Sequence, residues 1–72
     1  MPLDWTLING KQVGDTIGVK YQYKAHPADT DFIYINEVVT IERKDRRNWW
    51  LSTGHGFGKK TLLKLITNYN NQ

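Results

Sequence analysis

Short runs of β-branched and aromatic residues recur along this chain about every 8–12 residues, each bounded by Gly, Asn, Asp or Pro. That rhythm leaves little room for a helical bundle and favours a small barrel or sandwich. Trp5-Thr6-Leu7-Ile8 and Lys11-Gln12-Val13 flank Asn9-Gly10, a pair that tolerates the positive φ of a type I′ turn and so predicts a hairpin. Val19-Lys20-Tyr21-Gln22-Tyr23 alternates with period two, as a half-buried strand does. Phe32-Ile33-Tyr34-Ile35 is apolar on both faces, Asn36-Glu37 reads as a turn, and Val38 to Arg43 is β-branched. Trp49 to Thr53 predicts another strand, Gly54-His55-Gly56-Phe57-Gly58 a tight turn, and Leu62 to Ile66 the last strand after a helical turn near Lys59 to Leu63. The expected fold class is all-β, a small barrel of five to six short antiparallel strands with a hairpin-like N-terminal extension.

With 72 residues the chain is one domain, burying only about 60% of the surface its unfolded form exposes. Three Trp, four Tyr and two Phe make it too rich in large apolar groups for a disordered segment, and are expected to supply much of the buried area. No run approaches the roughly 18 apolar residues of a membrane span, and the N-terminus lacks the pattern of a signal peptide. A soluble, cytoplasmic protein is the expectation.

The order of features from residue 19 to residue 66 resembles a Src-homology-3 (SH3) domain. Val19-Lys20-Tyr21-Gln22-Tyr23 is similar to the Ala-Leu-Tyr-Asp-Tyr signature that opens the family, and the loop to Asp31 to its acidic RT loop. Glu37-Val38-Val39-Thr40-Ile41 resembles the family's Gly-Asp-Val-Val-x-Val strand, Trp49-Trp50 its paired Trp, and Gly56-Phe57-Gly58 the turn that follows. The resemblance implies an extension over residues 1–18, a barrel over 19–66 and a polar tail over 67–72. It also implies a protein–protein interaction module that takes a short extended peptide, with no cofactor, working as a monomer or within a larger assembly. The implied groove holds Tyr21, Tyr23 and Trp49, with Asp29 and Asp31 facing a basic ligand residue and the Trp49 indole N–H donating to a ligand carbonyl. The family's Pro-x-x-Tyr falls on Lys59-Lys60-Thr61-Leu62, so Leu62 takes the place of the groove tyrosine and the proline is gone. The ligand is therefore expected to be atypical, or a partner protein surface.

Charge supplies a second reading. Residues 1–42 carry three lysines against six acids, a balance of −3, while residues 43–72 carry seven basic residues against Asp45, a balance of +6. Arg43, Arg46, Arg47, Lys59 and Lys60 are candidate anion contacts, and a barrel binding nucleic acid through this half, with Trp50 or Phe57 stacking a base, is the alternative. Enzymatic and metal chemistry find little support. Two histidines without cysteine do not make a zinc site, and Ser52 with His55 on a short hairpin lacks an orienting acid and an oxyanion hole. The Gly-rich stretch to Thr61 fails the spacing of a phosphate-binding loop.

Overall fold

A computed structural model describes residues 3–72. Four antiparallel strands follow one another in chain order, β1 over Thr16–Tyr23, β2 over Ile33–Lys44, β3 over Trp49–Leu51 and β4 over Gly56–Phe57. The sheet curls into a half-barrel, and a helix, α1, over Lys59–Asn70 packs against β1. This is a small β-rich fold, with four strands where five to six were expected. No helix among the described residues is long and apolar enough to cross a membrane.

Two of the expected strands are one. β2 runs unbroken through Asn36 and Glu37, which pair with Lys20 and Val19 of β1. Asn and Glu are poor strand formers. Here the β1 ladder supplies the hydrogen bonds that a turn would otherwise have to provide, and both side chains sit in solvent. The curl has a local cause. Between Ile41↔Leu51 and Arg43↔Trp50 the register slips by one residue at Glu42, a bulge that bends the strand and increases its twist.

The strand expected over Leu62 to Ile66 is helical instead. Leu62, Leu63 and Ile66 share one face of α1 and are buried, while Lys60 and Lys64 lie four apart in solvent. Gly58, extended, is the N-cap, and the N–H of Asn71 closes the other end on the Thr67 carbonyl at 3.1 Å. The helix runs on through Asn70, into the segment read as a polar tail.

The expected N-terminal hairpin is absent from the described residues. Among the described residues only glycines adopt positive φ, Gly10 at 83° among them, so Asn9 does not complete a type I′ turn. Trp5–Leu7 instead winds into a 3₁₀ turn whose first N–H groups are served by Asp4, its carboxylate accepting from the Thr6 N–H at 3.0 Å. The gain is burial: Ile8 becomes fully inaccessible, with Leu3 and Leu7 packed beside it.

The core is aliphatic throughout. Ile8, Ile17, Val19, Val39, Ile41, Leu51, Leu62, Leu63 and Ile66 fill it, and no polar residue is buried with them among the described residues. The aromatic residues, expected to supply much of the buried area, lie around it, half-buried or exposed, with Tyr21, Trp49 and Phe57 packed against it.

Candidate functional site

Three surfaces carry chemistry. The first is a strip of rings on the concave face of the half-barrel. Period two places Tyr21 and Tyr23 on the face of β1 that also buries Ile17 and Val19. The curl brings them to the turn between β3 and β4: Tyr21 meets Phe57 edge-on at 4.9 Å, and Tyr23 meets His55 at 4.3 Å. The Tyr21 hydroxyl lies 2.8 Å from both the Thr53 hydroxyl and His55 Nδ1, a hydrogen-bond distance from each. Burial pushes this phenol above its ordinary range, against the opposing effect of the Thr53 bond.

Trp49 pairs with Phe57 and continues the strip. It leans on the core, and the Lys44 ammonium lies over its ring at 3.8 Å, held there by a bond to the Lys11 carbonyl. Tyr21, Tyr23 and Trp49 thus share a face, joined by His55 and Phe57, which the predicted groove did not include. Leu62 does not join them. Its side chain is fully buried in the core and offers no surface to a ligand. Asp29 and Asp31 are exposed in the loop between β1 and β2.

The second surface is an edge. β3 pairs with β2 from Ile41 to Lys44, so the other side of β2, before Thr40, faces no strand among the described residues. The direction of the main-chain groups follows from two bonds. The Ile41 N–H points to the β1 side, donating to the Asp15 carbonyl at 2.9 Å, whereas the Thr40 carbonyl accepts from Ser52 on the β3 side at 2.9 Å. Alternation then turns the N–H and C=O groups of Val38, Asn36 and Tyr34 toward the open side. Four of the six exposed large hydrophobic residues among those described lie here: Phe32, Ile33, Tyr34 and Val38, the last two 71% and 59% exposed. Beside the edge, a cleft of about 660 Å³ opens between the β1–β2 ribbon and the end of α1, lined by Lys20, Gln22, Tyr34, Asn36, Asn68 and Asn71 among others. The Asn36 amide donates to Gln72 Oε1 at 2.6 Å beside it.

The third surface is the hairpin between β2 and β3. Asp45 organises it. One carboxylate oxygen accepts from the N–H groups of Arg47 and Asn48 at 2.9 and 2.8 Å, and the other from the Trp50 indole N–H at 2.8 Å. These bonds, the indole's first, hold the carboxyl down to about 2, with the nearby Arg43 charge adding to them. Trp50 lies against Gly56, and the Arg43 guanidinium sits 5.0 Å over its ring. Arg46 and Arg47 are exposed at the tip, and the Arg47 carbonyl lies beside Gly58, which brings the start of α1 with Lys59 and Lys60 to the same end of the molecule. The alternative reading had Trp50 or Phe57 stacking a base; Gly56 and Arg43 lie against Trp50, and Tyr21 packs on Phe57.

Among the described residues no group of three or more His, Asp or Glu gathers to hold a metal ion. Compared with protein-family models, curated proteins and solved structures, the chain matches none. The SH3 resemblance rests on the residues that carry it.

Proposed function

We propose that this protein is a protein–protein interaction module, and that it takes an extended segment of its partner as an added strand on the open edge of β2. The observation that carries this reading is the coincidence of unpaired main-chain groups at Tyr34, Asn36 and Val38 with the exposed side chains of Phe32, Ile33, Tyr34 and Val38. Main-chain hydrogen bonds would supply affinity for any extended segment, and the alternating side chains would supply selectivity. Folded proteins guard such edges with lysine, proline or a covering loop. This one carries Glu37 as its sole charge between Ile33 and Val39. The concave rings are the less suitable platform. Tyr21 is tied through its hydroxyl, and Trp49 sits beneath Lys44.

The test is an amide NMR titration with peptides selected from a displayed random library. Val38→Lys and Asn36→Pro should each abolish binding while leaving the fold intact, because both positions are exposed and the Asn36 N–H serves no ladder. Binding that survives both but fails with Tyr23→Ala or Trp49→Ala would move the peptide to the concave strip and refute the edge.

A further inference from the structure

The strand edge makes no use of the β2–β3 hairpin, at the opposite end of β2. This hairpin is more ordered than a solubilising loop needs to be. Asp45 engages it through both carboxylate oxygens, fixing the backbone of Arg47 and Asn48 and the indole of Trp50. Trp50 in turn is a shelf for Arg43. The side chains so presented are cationic: Arg43, Arg46 and Arg47 from the hairpin, with Lys59 and Lys60 from the start of α1 next to the Arg47 backbone. The acids nearest the hairpin in sequence are Asp45, occupied as described, and Glu42 at the bulge, while Asp4, next to the Trp5 ring that lies under Lys59, is engaged with Thr6. The residues with exposed apolar side chains on β2 lie at the other end of that strand.

From this arrangement we infer that the hairpin and the start of α1 form a binding surface for the phosphate backbone of a nucleic acid. Charge complementarity selects a polyanion, since the backbone that Asp45 fixes presents Arg46 and Arg47 at one tip, and guanidinium groups pair with phosphate oxygens bidentately. The covered rings decide the mode. With Gly56 and Arg43 on Trp50, Tyr21 on Phe57 and Lys59 over Trp5, each ring here already has a face taken, so recognition runs through phosphates and is indifferent to sequence. A bilayer surface fits less well, because Trp49 and Trp50 are half-buried under Lys44 and Arg43, and the exposed Trp5 has the Lys59 ammonium over its ring at 5.8 Å.

Fluorescence anisotropy of the whole chain with labelled oligonucleotides of unrelated sequence, across a salt series, tests this. Affinity should vary little with sequence and fall linearly in log–log form as salt rises. Arg46→Ala with Arg47→Ala should make that slope shallower by about one for each phosphate no longer neutralised. Lys24→Ala removes a like charge from the far end of β2 and should leave the affinity within about twofold, which separates a local surface from net charge. Equal losses with Lys24→Ala and with the arginine pair would overturn the site. So would an absence of binding at low salt, or tighter binding to vesicles of mixed zwitterionic and anionic lipid at equal phosphate concentration. Quenching of tryptophan emission that disappears with Trp50→Phe would overturn the backbone-only mode. Peptide binding at the β2 edge should persist in the arginine variants, so the two surfaces stand or fall separately.

Discussion

At Gly18 the Tyr69 ring of α1 crosses β1 so closely that a Cβ would fall 2.3 Å from it. Glycine in a strand interior is otherwise a weakness, and here it is the condition for the helix to lie down on the sheet. Gly18→Ala should cost about 1–3 kcal/mol by urea denaturation, the usual range for overpacking. Combined with Tyr69→Ala it should cost less than the sum of the two, because the second change removes the collision. A purely additive pair would mean that the ring swings aside freely. Asp45 gives a prediction in pH. Its carboxyl is depressed from 3.8 to about 2, so the hairpin it holds is intact above the unfolded value and loosens as pH falls through the folded one. The Trp50 indole N–H resonance should hold its position down to about pH 4 and move between about pH 3 and pH 1, and Asp45→Ala should show the moved position at all pH values. Since the carboxyl is exposed, the change belongs to the hairpin and not to global stability.

At the scale of elements, α1 packs along β1, with Leu62, Leu63 and Ile66 buried in the core and Tyr69 laid across Gly18. Leu62→Ala should destabilise by about 2–5 kcal/mol, as truncation of a fully buried leucine does, whereas Lys64→Ala on the solvent face of the same helix should change stability by less than about 0.5 kcal/mol. A thermal melt distinguishes them. Had the segment been the groove wall that the resemblance implied, Leu62→Ala would be nearly silent in stability. The helix was legible in the spacing of Leu62, Leu63, Ile66 and Tyr69, with Lys60 and Lys64 on the far side. A run of four apolar residues in five, set among strands, reads equally as a β-segment, and length alone would have separated the two. β1 and β3 were legible because alternation and the paired tryptophans are local signals. The unity of β2 was not, since its middle is made of residues that prefer turns and only pairing with β1 overrides them.

The whole molecule has a small aliphatic core assembled from every part of the chain, from Ile8 to Ile66. Total stability of such a domain is about 5–15 kcal/mol, so a single interior loss is a large fraction of it. Ile8→Ala, within the segment that reads as an extension, should therefore lower stability by about 2–5 kcal/mol in the same assay. A cost below about 0.5 kcal/mol would show the segment to be an appendage. Composition and periodicity determined that this chain is β-rich, where its first and third strands lie, and that its charge is split between its halves. These are properties of residues and near neighbours. Tertiary structure alone decided the rest: that Asn9-Gly10 gives up its hairpin so that Ile8 can be buried, that β2 outruns β3 and leaves an edge open, and that Asp45 is tied to the tip that carries the arginines. Each of these turns on contacts between residues distant in sequence or on the direction of a main-chain group, neither of which a local pattern encodes.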